Sequence, residues 1–273
     1  MNEKRIDVGI CQWSLPVQGP CALDVAAELG FSGVELEFRN PERGFPLSKQ
    51  CVQELYLSKI REHRLSIPSL AINELDFYCL TGSMKNKETQ TALDAIYKGL
   101  QTAAALNIPK IQIPCFNKSE LNSKNQGRAA EIFRDVCEAA KEYDITVATE
   151  NVLSPTEMIK LIKRVDKANF KLYFDTQNYY LKKGFNTAEV LEQLFPYVCE
   201  IHVKDGRNGY LSGDLLGEGD SGFFNAIQVI KKNHYSGWLL LENYYDQEPL
   251  SLQDENPLTL IKKDFEILKK AIA

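Results

Sequence analysis

Four ionisable side chains, Glu150, Asp175, His202 and Glu242, each fall near the C-terminal end of a short apolar run. The runs are ITVATEN, KLYFDTQN, CEIHVKDG and GWLLLEN. Side chains on a strand alternate between two faces. With that period, Ile145 and Val147 share one face, while Thr146, Ala148 and Glu150 share the other. Leu172 and Phe174 oppose Tyr173, Asp175 and Gln177, and Ile201 and Val203 oppose Glu200, His202 and Lys204. Leu239 and Leu241 likewise oppose Leu240 and Glu242. Three carboxylates and one imidazole gathered in a partly enclosed space cannot stay uncompensated, because buried like charges repel and lose their hydration. Either their pKa values rise sharply or a cation joins them. Oxygen donors with one imidazole suit one divalent ion, among Mn²⁺, Co²⁺, Mg²⁺, Fe²⁺ and Zn²⁺. Any one of the four alone reads equally well as an ordinary polar strand end. Four with the same parity, on four consecutive strands, read as ligands.

Those residues need a scaffold that aims strand ends at one place. Eight apolar runs recur along the chain: IDVGICQWS, GVELEF, LSIPSLAI, PKIQIPCF, ITVATEN, KLYFDTQN, CEIHVKD and GWLLLENYY. Each precedes a helical pattern: LDVAAELG, CVQELYLSKIREH, QTALDAIYKGLQTAAAL, GRAAEIFRDVCEAAKEY, TEMIKLIKRV, TAEVLEQLF, FFNAIQVIKKN and LTLIKKDFEILKKAI. Alternation of this kind implies parallel pairing. Eight units in 273 residues predict an α/β fold, a single (β/α)8 TIM barrel occupying residues 1–273 as one domain. No Gly-rich dinucleotide or phosphate loop follows the first run, which disfavours an open doubly-wound sheet. Ser154, Pro155 and Glu157 supply an N-terminal helix signal, and Lys231, Lys232 and His234 gather near a helix end. In such a barrel the catalytic groups sit at the C-terminal rim.

Composition narrows the partners. The chain is 44% hydrophobic and 25% charged, with a formal net charge of -5. That balance argues against nucleic acid or an anionic membrane as a main partner, since both demand clustered Lys and Arg. The seven cysteines are scattered without a C-x-x-C pair and read as free thiols of a reducing compartment. No signal-peptide pattern opens the sequence, and no apolar run approaches the ~18 residues that span a bilayer. The expectation is a soluble cytoplasmic protein, with homo-oligomers left open.

At these residues the sequence resembles the sugar isomerase/epimerase superfamily of xylose-isomerase-like barrels. The resemblance covers nearly the whole chain, through AAELGFSGVELEF, TEN, FDTQN, IHVKD, LLLEN and GEGDSGFF. The last resembles the G-E-G-x-x-x-F run of the sugar-phosphate epimerase branch. The resemblance implies that Glu150, Asp175, His202 and Glu242 hold the metal, that Glu150 and Glu242 double as the acid/base pair, and that no organic cofactor is used. It implies a carbohydrate substrate, a ketose or its phosphate, epimerised or isomerised through a metal-stabilised enediolate. A dehydratase or isomerase of an inosose is the alternative with the same metal site. An abasic-site endonuclease needs more histidines than the three present, and a barrel that binds sugar without turnover would not need the ligand quartet. Asn178 departs from the His that many relatives carry three residues after the sixth-strand Asp, and matches the phosphate-sugar branch. The segment from Glu150 to Asp175 is shorter than in free-ketose epimerases, and DFYCLTGSMKNKETQ has no clear counterpart.

Asn178, Lys204, Arg207, Gln112 and Trp13 are the predicted substrate contacts. Lys204 and Arg207, with backbone N–H groups around Gly217, Glu218 and Gly219, suit an anionic group. Pairing of Lys204 with Asp205, or with the carboxylate cluster, is the competing reading. Trp13 reads as an apolar wall for the sugar, and Gln112 as a donor to a hydroxyl. Glu35 and Glu37 lie inward on the second strand, as partners for Lys204 or Lys110. His63 and His234 read as solvated residues at helix ends.

Overall fold

The computed structural model describes residues 5–273. Eight parallel strands close a barrel in chain order. They are β1 (Ile6–Cys11), β2 (Gly33–Glu37), β3 (Leu70–Ala71), β4 (Lys110–Pro114), β5 (Thr146–Glu150), β6 (Phe170–Asp175), β7 (Val198–Val203) and β8 (Gly237–Leu241). Between and after them lie α1 (Cys21–Glu28), α2 (Gln50–His63), α3 (Lys87–Ala105), α4 (Gln126–Lys141), α5 (Pro155–Val165), α6 (Asn178–Lys183), α7 (Thr187–Leu194), α8 (Phe223–Lys232) and α9 (Pro257–Ile272). This is the (β/α)8 barrel that the alternating pattern predicts. Two compact halves make it up. One takes the described residues through Glu35 with 59–66 and 174–273; the other takes 36–58 and 67–173. Strands β2 and β6 run through the division.

Local chemistry sets the helix starts. Ser154 and Glu157 form a full capping box ahead of α5, with Pro155 in its first turn. Asn86, Asn186 and Asn256 cap α3, α7 and α9 through their side-chain oxygens. The strands bury aliphatic side chains against these helices: Ile10, Val34, Ile201, Leu239 and Leu241 are fully buried in the first half. Inside that half, β1 approaches its neighbours so closely that only a hydrogen fits at Gly9. A Cβ there would stand 2.6 Å from Leu240 Cδ2 and 2.7 Å from the Gly33 carbonyl oxygen.

Two elements differ from the sequence expectation. The third strand shrinks to Leu70–Ala71. Pro68 lacks an N–H and cannot continue a ladder. Accordingly Val34 N–H donates to Ser66 O and Leu36 N–H to Ser69 O, so three residues face two across Pro68. The second difference is α6, which begins where the KLYFDTQN run reads as strand. Asp175 Oδ1 accepts the N–H groups of Gln177 (2.8 Å) and Asn178 (2.5 Å). That is an Asx turn, and it bends the chain out of the sheet into the short helix.

The loops after β7 and β8 are organised by two buried carboxylates. Asp205 accepts from the N–H groups of Gly206, Gly217, Gly219 and Ser221, and from the Ser221 hydroxyl. Gly219 is required there, since a Cβ would stand 2.2 Å from Asp205 Oδ1. Asp264 of α9 accepts from Leu216 N–H, Asn243 Nδ2 and the Tyr245 hydroxyl at 2.7, 2.7 and 2.8 Å. Asn243 Oδ1 in turn accepts the Asp205 N–H. All seven cysteines are free thiols, and among the described residues no helix is long and apolar enough to cross a membrane.

Burial pushes the Asp264 carboxyl up to about 7, against the pull of its three donors. Its folded value then lies above the ~3.9 of an unfolded Asp. The folded state keeps the proton that the unfolded state has lost, so this contribution is full below ~pH 4 and fades as pH rises toward 7. The stability difference between wild type and Asp264→Asn, measured by urea unfolding, should move by roughly 2 kcal/mol against the wild type from pH 5 to pH 7. An unchanged difference would show Asp264 to be ionised in the fold throughout that range.

Candidate active site

In the half formed by β1, β7 and β8 and the adjoining ends of β2 and β6, five polar side chains converge. Asp175 ends β6, His202 lies on β7, Glu242 follows β8, Glu35 lies on β2, and Lys204 follows β7. All five are buried. Thr176 locks the two carrier strands together: its N–H donates to His202 O, its hydroxyl donates to Lys204 O, and Lys204 N–H donates back to that hydroxyl.

The imidazole of His202 is held on both sides. Its Nε2 lies 2.5 Å from Glu35 Oε2, and its Nδ1 lies 3.0 Å from Glu242 Oε2. Glu35 also accepts from the Cys11 thiol at 3.4 Å. Lys204 Nζ stands 2.6 Å from Glu242 Oε2 and 3.1 Å from Asp175 Oδ2. Trp13, in a 3-10 turn after β1, donates its indole N–H to Glu242 Oε1 at 3.2 Å and sets its ring edge-on to His202. Trp13 is therefore a hydrogen-bonding partner of the cluster.

Charge distribution follows from these contacts. Burial alone would raise Glu242, but the His202 imidazole and the Lys204 ammonium outweigh it and hold Glu242 well below the usual carboxylate range. Burial raises Asp175, only partly opposed by Lys204 and reinforced by the Glu242 charge. Burial also pushes the Cys11 thiol far up, so Cys11 stays a neutral thiol rather than a nucleophile.

Within the other half, Gln112 and Glu150 form a pair of their own. Glu150 is the last residue of β5 and is paired in register with Pro114 of β4. The Gln112 amide donates to Glu150 Oε2 at 2.5 Å, and both side chains are buried. Gln112 thus orients a carboxylate, where the sequence suggests a contact to a substrate hydroxyl.

Several sequence expectations change. Glu35 partners His202, and Glu37 pairs with Arg39. Lys204 joins the carboxylate cluster, one of the competing readings. Arg207 is bound by Asp214 with its side chain 45% exposed, and the Gly217 and Gly219 amides that were to meet an anion donate to Asp205 instead. The chain's own carboxylate fills that cradle. Asn178 is buried, with its N–H committed to Asp175. His63 is paired with Asp24 at 2.5 Å rather than merely solvated.

The donor set in the first half fits a divalent cation. Asp175, His202 and Glu242 each offer one ligand atom, and these lie within 4.8 Å of one another. Glu35 anchors Nε2 of the imidazole while Nδ1 faces the carboxylates, the arrangement in which an outer carboxylate orients a metal-ligating His. Two carboxylate oxygens already converge on a positive group.

The family model described as "Xylose isomerase-like TIM barrel" matches residues 23–271. A 2-epi-5-epi-valiolone 7-phosphate 2-epimerase of Actinoplanes sp. is 27% identical over 241 residues, 87% of each chain. Among solved structures, a D-psicose 3-epimerase from Clostridium cellulolyticum with D-tagatose superposes with a TM-score of 0.77 at 13% identity, covering 97% of this chain and 99% of that one. A probable 3-DHS dehydratase from Bacillus anthracis gives 0.71 at 16% identity, over 96% and 98%. With 249 of its residues inside the family match, on a closed eight-strand barrel, the chain belongs to the xylose isomerase-like TIM barrel family.

Proposed function

We propose that this protein is a divalent-metal-dependent epimerase or isomerase of a ketose or ketose phosphate, with Glu150, Asp175, His202 and Glu242 as its ligands. The observation that carries the reading is the buried His202–Glu242–Asp175 group, oriented from behind by Glu35 and already compensated by positive charge. Glu150, the last residue of β5, is the fourth ligand that the family resemblance implies. The Actinoplanes relative is named as an epimerase of a phosphorylated substrate, which supports the same reaction class.

A divalent ion bound by these residues supplies Lewis acidity toward the carbonyl and neighbouring hydroxyl oxygens of the substrate. The remaining work falls to the chain. Glu242, whose carboxylate ends beside His202 and Lys204, would take a proton from the carbon beside the carbonyl. Glu150, fixed by Gln112, handles a proton on the other face. Return of the proton to the same carbon from the opposite face inverts it; return to the neighbouring carbon converts ketose to aldose. The Trp13 indole N–H donates to Glu242 Oε1 and so orients the carboxylate, whose Oε2 faces His202 and Lys204.

The test is solvent deuterium incorporation at the carbon next to the carbonyl, across ketoses, ketose phosphates and inososes with Mn²⁺. Exchange without loss of water supports epimerisation or isomerisation. Release of water from an inosose would move the assignment to dehydration, and exchange with none of them would end it. Glu150→Gln and Glu242→Gln should each lower turnover by roughly 10²–10⁴-fold while leaving thermal unfolding cooperative. Wild-type turnover in either would contradict the two-carboxylate mechanism. Separately, Glu35→Gln should weaken metal affinity by roughly 10–100-fold in direct titration. An unchanged affinity would show that Glu35 does not orient the imidazole for a metal.

A further inference from the structure

Lys204 is the one Lys or Arg among the described residues that is buried. Its ammonium is 2.6 Å from Glu242 Oε2 and 3.1 Å from Asp175 Oδ2, two oxygens of the group assigned above to a divalent ion. The inference rests on that reading and extends it. An ammonium carries three donors and no lone pair, so Lys204 can balance these carboxylates and can never be a metal ligand. A divalent ion on the same oxygens would face a like charge at close range in a poorly screened interior, where repulsion far exceeds its value in water. The two cations therefore compete for one pair of carboxylates.

The anchoring of Lys204 matches such a role. Its backbone is clamped on both sides by Thr176, through the N–H and the carbonyl. The four-carbon stem keeps its own rotatable bonds, so the head group can move while the strand end stays fixed. We propose that Lys204 is the resident counter-cation of the metal-free site, and that a divalent ion loads by displacing its ammonium from Glu242 and Asp175. The chain would then remain folded without metal, at the cost of a weakened metal affinity.

Titration calorimetry with Mn²⁺ on wild type and Lys204→Met is the direct test, with thermal unfolding of both metal-free proteins alongside. The variant should bind Mn²⁺ at least tenfold more tightly. Its metal-free form should unfold at lower temperature than wild type, and Mn²⁺ should raise that temperature more than it does for wild type. If wild type binds Mn²⁺ and the variant binds it equally or more weakly, displacement is wrong while the metal centre stands. If wild type binds no divalent ion, the metal centre itself falls and the displacement with it. Lys204→Gln, smaller and polar, serves should the Met variant not fold. Wild type alone also decides the matter, through [¹⁵N]lysine NMR of its one buried ammonium. That resonance should shift on saturation with diamagnetic Zn²⁺, and an unmoved resonance would overturn the proposal.

Discussion

Holding ionised carboxylates out of water is the constraint around which the C-terminal end of this barrel is built. Glu242 and Asp175 are almost wholly inaccessible, and an isolated carboxylate in such a place would cost far more than the ~5–15 kcal/mol by which a domain is stable. Their neighbours answer that cost individually. His202 and Lys204 bring positive charge to Glu242, Trp13 brings an indole N–H, and two backbone N–H groups cap one oxygen of Asp175. Removing one partner of such a buried pair typically costs ~3–5 kcal/mol. These charged side chains are therefore part of what keeps this end of the fold together.

The same requirement extends outward into the loops. Asp205 and Asp264 are two further buried acidic side chains, linked through Asn243. Asp205 is met by loop N–H groups and the Ser221 hydroxyl, and Asp264 by the Leu216 N–H, the Asn243 amide and the Tyr245 hydroxyl. They pull the segments after β7 and β8 into fixed positions beside Lys204 and Glu242. Asp205 also occupies the backbone cradle that barrels often use for phosphate. An anionic substrate group would need a different seat on this protein. The buried cluster and the loops thus answer separate demands, and a barrel fold can carry different site chemistries for that reason.

Much of this was legible from residue order. Period-two alternation identified the strands and the inward parity of Glu150, Asp175, His202 and Glu242, because a closed barrel buries the outer face of every strand under helices. Period and parity say which way a side chain points but not which neighbour it meets. Hence Glu35 read as inward, but its pairing with His202, across both β1 and β8, did not. The shortness of β3 was signalled by Pro68, whose missing donor the apolar pattern of LSIPSLAI conceals. The helix α6 was hidden because Asp175 serves two roles, its Oδ1 turning the chain while its Oδ2 faces Lys204. The filling of the Gly217–Gly219 amides by Asp205 is a long-range closure that no local motif encodes.

The central claim is that side chains from the ends of β5, β6, β7 and the residue after β8 serve one ion. Anomalous diffraction at the manganese edge from crystals grown with Mn²⁺ addresses it most directly. The account requires a single strong peak within coordination distance of Glu150, Asp175, His202 Nδ1 and Glu242. A peak elsewhere, or one that leaves any of these four beyond reach of the ion, would contradict it.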